Sequence, residues 1–185
     1  MSKIFLSFSF SIVSLIIGIC VGYFLTPSYQ NSMYQKTEMG LGSADRWLDL
    51  RYLNAMISHH RGAILIAEQA SRNSQREEVK KLANEILTEE PKLITKLYDL
   101  KKELYKDSKV VRDPQAVQLG PADSNFDLRF LNGLIFHHDE GIAMTTEVRS
   151  KTSTSQVLDD ANGVEDFLRK TLVPLKEWRK EWYGI

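Results

Sequence analysis

Three observations predict an all-α fold: an antiparallel four-helix bundle made of two repeated helical hairpins, preceded by an N-terminal transmembrane helix. The first is a duplication. Displaced by 78 residues against itself, the chain aligns "ADRWLDLRYLNAMISHHRGAI" with "ADSNFDLRFLNGLIFHHDEGI" without a gap. A unit too short to bury its own apolar face is stabilised by stacking on a second copy. The second is periodicity, since apolar residues recur at spacings of three and four in both copies, the pattern of helices packed at shallow angles. The third is an uncharged apolar run that opens the chain.

That run, Ile4 to Leu25, is "IFLSFSFSIVSLIIGICVGYFL", and ~20 apolar residues span a bilayer as a helix. Lys3 alone flanks it on the leading side, which favours a cytoplasmic N-terminus. A cleavable signal peptide is the competing reading. Against it, the apolar core is long and "FLTPSYQ" offers a poor cleavage site; Ile19 before Cys20 is too bulky for a lipoprotein signal. Both readings put the remainder of the chain outside the cytoplasm. The anchor reading is a single-pass protein of an inner or thylakoid membrane, held through residues 4–25, with its C-terminal domain on the periplasmic or lumenal side. Cys20, the sole cysteine, lies inside this segment. The exported part therefore has no disulfide and no thiolate, and any metal there must be held by histidine, methionine or carboxylate.

Residues 26–43 mix proline, glycine and polar residues without periodicity and read as a linker, Met33 and Met39 included. Residues 44–184 form the bundle, with copies 44–106 and 122–184. In the first helix Leu50, Leu53, Ile57, His60, Ile64 and Ala67 form a seam, which Leu128, Leu131, Ile135, His138, Ile142 and Thr145 repeat. The second helix of each copy runs through Val79, Leu82, Ile86, Leu93, Leu97, Leu100 and Leu104, and through Ala161, Val164, Leu168, Leu172, Leu175 and Trp182. "SRNSQ" and "SKTSTS" supply turn and cap residues between them. A short connector with Pro114 and Pro121 joins the copies, and Pro91 and Pro174 should bend the second helices.

All four histidines occur as two adjacent pairs, His59-His60 and His137-His138, at matching repeat positions. In an up-down-up-down bundle the first and third helices run parallel, which would gather the four imidazoles at one level. His60 and His138 would point inward, with His59 and His137 ~100° further round, at the edge of the buried face. A buried polar group without a partner costs roughly 1–3 kcal/mol, so the pairs need hydrogen bonds or a metal. Histidine suits copper, zinc and nickel. Met56 shares the face of the first pair, three and four residues before it, and Met144 lies two turns beyond His137. Thioether plus imidazole suits soft Cu(I), although methionine also simply fills cores. Asp49 and Asp127 lie ~16 Å along the helix from His60 and His138, too far to share an ion with them. A salt bridge, with Arg51 or Arg129, or a helix-start role suits them better.

Several functions are disfavoured. Lys plus Arg and Asp plus Glu balance at 24 each, so the basic excess of a nucleic-acid binder is lacking. Glu-x-x-His, which a ferritin-like di-iron oxidase needs, does not occur, and no serine or cysteine nucleophile has a recognisable base. The chain reads as no enzyme.

Met56-Ile57-Ser58-His59-His60, followed by Ala63-Ile64 and Ala67, resembles the M-I-x-H-H-x-x-A-I-x-M-A phrase of the DUF305 family. The second copy matches at Ile135, His137, His138, Ile142 and Met144. Tyr52 stands where the family has Phe, Ile66 and Leu134 replace methionines, and "EPKLITKL" and "TLVPLKEW" lack the family's Q-x-x-E-I-x-x-M phrase. The resemblance implies a ferritin-like bundle exported by a bacterium. Some members bind copper through methionine and histidine, which implies a ligand set of His59, His60, His137, His138, Met56 and Met144. With five methionines, Met1 included, a methionine-rich copper store is excluded.

Two functional readings follow. The first is an exported, membrane-tethered copper-binding protein that buffers the ion in the periplasm or hands it on. The alternative is a non-catalytic structural or interaction module docking to a membrane protein complex, its histidine pairs packed relics. Trp47, Tyr105, Trp178, Trp182 and Tyr183 would supply its surface.

Overall fold

The computed structural model describes residues 40–185. The apolar segment 4–25 and the linker as far as residue 39, with Met33 and Met39, lie outside the described residues. Among the described residues no helix is long and apolar enough to cross a membrane. Four helices account for the regular structure among the described residues: α1 (Leu48–Asn73), α2 (Glu77–Tyr105), α3 (Phe126–Arg149) and α4 (Ser155–Tyr183).

Each copy opens with the same local device. Asp45 Oδ1 accepts from the Trp47 amide at 2.9 Å and the Asp45 carbonyl from Leu48 at 3.0 Å. Asp123 repeats both bonds with Asn125 and Phe126, each at 3.0 Å. These Asx turns start α1 and α3 where a side-chain N-cap would otherwise be required. The guanidinium of Arg51 reaches back from α1 to the carbonyls of Leu41 at 2.5 Å and Ser43 at 2.6 Å. Arg129 does the same to Leu119 and to Pro121, the latter at 2.6 Å. Gly42 and Gly120, between those carbonyls, have φ of +74° and +79°, a conformation open to glycine and strained for other residues. Leu41 and Leu119 are both buried. The duplication therefore reaches three residues further back than Ala44 and Ala122, into what the sequence reads as linker.

The helices run through both internal prolines, Pro91 in α2 and Pro174 in α4. At the hairpin turns the serine and threonine residues act otherwise than as N-caps. The cap positions Arg76 and Thr154 make no side-chain cap bond. Instead Ser74 Oγ accepts from the Arg76 amide at 3.0 Å and Thr152 Oγ1 from the Thr154 amide at 3.1 Å, closing hydroxyl-based turns. Arg51 and Arg129 bond the loop carbonyls and pair with Asp45 and Asp123, each at 2.9 Å, while Asp49 and Asp127 find other partners. Asp49 accepts from the Thr154 hydroxyl at 2.5 Å, and Asp127 lies 3.8 Å from Arg76.

Helix direction corrects the sequence expectation. Gln69, near the end of α1, bonds Leu119 and Val117 just before α3, at 3.0 and 2.7 Å. At the opposite end Lys151 donates to Gly42 at 2.7 Å and Glu147 accepts from Leu41 at 2.9 Å. The start of α1 therefore lies beside the end of α3, and the two helices are antiparallel. Tyr52 to Asp160 at 2.8 Å and Asp49 to Thr154 join the starts of α1 and α4, so those two are parallel. The order is up, down, down, up. Between α2 and α3, residues 106–125 must travel the length of the bundle. Twenty extended residues reach ~66 Å, ample for the ~39 Å of α1. This strap is held along the way: Arg61 donates to the Val111 carbonyl and pairs with Asp113 at 2.9 Å, and Tyr98 Oη accepts from the Val111 amide at 2.9 Å.

The two copies are thus related by an approximate two-fold axis across the helices, and the same face is used twice. The core built on it includes Tyr52, Leu53, Met56, Ile57, Leu97, Met144 and Val148, all essentially buried. Trp47 packs on Tyr105 with ring centroids 6.2 Å apart, and Trp178 stacks on Trp182 at 5.3 Å with Arg76 over it. These aromatic pairs close the bundle ends.

Candidate metal centre

The axis falls on the histidines. His59 is the twelfth residue of α1 and His137 the twelfth of α3, both close to mid-helix. That is why reversing one helix still leaves them level. A residue that touches its own equivalent must sit at the axis, and these two do. Their rings stack with centroids 3.7 Å apart and planes 3° from parallel. His60 and His138 flank the stack edge-on, at 6.1 Å from His59 and 6.5 Å from His137 respectively. The four imidazoles form a row, His60, His59, His137, His138, and all four side chains are buried.

The inner and outer positions are exchanged relative to the sequence expectation. His59 and His137 meet between the hairpins, whereas His60 and His138 turn into their own hairpins. His60 Nδ1–H donates to Glu90 Oε2 on α2. His138 donates from Nδ1 to the Leu134 carbonyl at 2.9 Å, and its Nε2 accepts from the Thr171 hydroxyl at 2.8 Å. Both nitrogens of His138 are therefore engaged, while His60 keeps Nε2. Neither ring of the central stack makes a hydrogen bond among the described residues. The halves differ because Glu90 and Thr171 are not repeat equivalents: Leu168 corresponds to Glu90 and Leu93 to Thr171.

Burial sets the charge state. Removal from water holds His59 well below the usual imidazole range, reinforced by repulsion from His137, His60 and His138. His137 is pulled down to about 3 by burial, then by His138 and His60. His138 is pulled down to about 4, again by burial first. These three imidazoles are neutral at pH 7, the form whose lone pair a metal takes. A carboxylate behind the distal nitrogen of a histidine, as Glu90 stands behind His60, orients the ring and raises its basicity as a ligand.

Met56 and Met144 are buried in one core cluster, together with Tyr52. The Tyr52 hydroxyl donates to Asp160 at 2.8 Å; burial pushes the Asp160 carboxyl up, partly offset by this bond and by the charges of His60 and Lys96. Among the described residues no three His, Cys, Asp or Glu side chains converge as a ready-made cage. The donor set that fits an ion here is neutral imidazole with thioether alongside, a soft set. Sequence reasoning passed over Glu90, Thr171, Asp160 and Gly141. Glu90 carried a signal: it lies four residues after Ile86 and three before Leu93, an acid on an apolar stripe.

A bundle of two hairpins joined by one long crossover is the connection type of ferritin-like proteins, here with a stacked imidazole pair on its axis. The chain belongs to the DUF305 family, described as a domain of unknown function, whose model matches residues 30–101 and 49–122. Its fold is similar to that of CopM in solved structures. For CopM in the Cu(I)-bound form the TM-score is 0.66 at 24% identity, covering 75% of this chain and 100% of that one. For the apo form it is 0.65 at 24%, covering 74% and 98%. For the Cu(II)-bound form it is 0.63 at 22%, covering 73% and 97%. No functionally curated protein matches the sequence.

Proposed function

We propose that this protein is an exported, membrane-tethered copper-binding protein that buffers the ion or hands it on rather than catalysing a reaction. The observation that carries the reading is the stacked pair of neutral His59 and His137 rings. Two buried neutral imidazoles without a hydrogen bond among the described residues are a poor choice for a core, and each keeps an uncommitted lone pair of the kind a soft cation takes. His60, backed by Glu90, and the buried thioethers of Met56 and Met144 are the further donors of soft character in the bundle. The likeness to copper-bound CopM supports the choice of metal, and the apolar run of residues 4–25 supports a single-pass anchor in an inner or thylakoid membrane.

A second reading, an interaction module docking to a membrane complex, draws on His138, whose two ring nitrogens are already satisfied by the protein. Competition titration of the full chain with Cu(I) separates them. The copper reading expects one saturable site, weakened by His59→Ala or His137→Ala and little changed by His138→Ala. Lack of saturable binding by the unmodified chain contradicts it and leaves the second reading.

A further inference from the structure

The stack depends on how closely α1 and α3 approach, and one position controls that approach. A methyl-sized Cβ built on Gly141 of α3 would lie 2.7 Å from His59 Nε2, 3.1 Å from His59 Cε1 and 2.5 Å from Leu168 Cδ1. The repeat equivalent is Ala63 of α1, so the second copy lacks a side chain where the first carries one. Gly62 of α1 is a looser counterpart: its Cβ would stand 3.3 Å from His137 Cε1, which a slight shift relieves. Glycine inside a helix is unfavourable by propensity, and neither φ nor a turn requires it at 141. The empty space above it is filled by the His59 ring.

We propose that Gly141 is a positioning residue: it seats the His59 ring against His137, and thereby sets the donor pair of the metal centre, an assignment to binding that rests on the copper reading above. Of the two neighbours a Cβ would meet, the Leu168 methyl is the end of a flexible chain and can turn aside. The His59 ring is rigid: a Cβ at 141 would press on its Nε2 and Cε1 atoms while its face already stacks on His137 at 3.7 Å, so relief means moving the whole ring from its seat. Alanine at 141 therefore unstacks the rings even where the fold survives.

The test uses full-length protein carrying G141A, with G163A as the control. Gly163 is also inside a helix, with nothing within 4 Å of its Cβ, so alanine there changes propensity alone. Stacked imidazoles shift each other's ring protons upfield in NMR spectra, and this signature reads the seat directly. Ag(I), a redox-inert soft ion, reads the donor pair. The expectation is that G163A keeps both, whereas G141A loses the upfield shifts and weakens Ag(I) binding by about 10–100-fold, the usual effect of misorienting a ligand. If G141A is too unstable to study, G141A/L168A removes the leucine clash and leaves the histidine one, and the same loss is expected. Upfield shifts retained in these variants overturn the proposal. Shifts lost with Ag(I) affinity unchanged overturn its link to binding while leaving the copper reading intact. If the unmodified chain binds no Ag(I), the copper reading fails, and the ring shifts alone decide whether Gly141 seats the stack.

Discussion

Mild acid should destabilise this protein well before its ordinary carboxylates titrate. In the unfolded chain each imidazole protonates near its ordinary 6.5; in the folded chain His137 resists to about 3, His138 to about 4, and His59 to well below 6.5. The native state therefore refuses protons that the unfolded state accepts. Stability is whole above pH 6.5 and falls as pH drops below it, until the folded rings themselves titrate. At pH 5.5 His137 and His138 each shift the balance by roughly 1.4 kcal/mol. Together they amount to on the order of 3 kcal/mol, with His59 acting in the same direction, against the 5–15 kcal/mol typical of a domain. Urea denaturation at half-unit pH steps from 7.5 to 5 measures this, and the slope should reach at least two protons taken up on unfolding. His137→Leu should remove about one proton from it. A stability that stays flat between pH 7 and 5 refutes the argument, because it would mean that the rings titrate alike in both states.

Three further outcomes follow from the geometry. Replacing Glu90 by Leu leaves the His60 Nδ1–H buried without its acceptor and should cost roughly 1–3 kcal/mol in chemical denaturation, whereas Glu90→Gln, which can still accept, should cost less. Arg51→Ala and Arg129→Ala each remove two bonds to loop carbonyls at equivalent positions; comparable losses of about 1–3 kcal/mol are expected. Because α1 and α3 are antiparallel, these residues lie at opposite ends of the bundle, so the double variant should be additive to within ~0.5 kcal/mol. Tyr52→Phe deprives the half-buried Asp160 of its donor, and the loss, about 1–3 kcal/mol, should be larger at pH 7 than at pH 4, where the carboxyl is protonated more readily.

The hairpins were legible because period and duplication speak directly to helix faces. The way in which the copies meet was not, since identical repeats pack equally well in parallel or about a two-fold axis. The deciding feature was the connector: twenty residues without helical pattern are too many for a turn and enough for a crossover. The histidines are level in either arrangement of the copies, because His59 and His137 both sit near mid-helix. Which ring of each pair faces the other copy depends on a rotation of tens of degrees about the helix, finer than seam spacing resolves. Asp49 and Asp127 do lie in the first turns of α1 and α3, as their positions suggest, but their partners, Thr154 and Arg76, come from the hairpin turns and not from the arginines beside them in sequence. That loop, Leu41 to Ser43, looked like linker because a glycine-centred turn carries no periodicity.

X-ray absorption at the copper edge tests the central claim most directly, with full-length protein loaded with one equivalent of Cu(I) and freed of unbound metal. Imidazole nitrogen in the copper shell, lost or diminished in a His59→Ala/His137→Ala variant, is the predicted result. Copper that washes off, or a spectrum indifferent to that variant, would contradict the account.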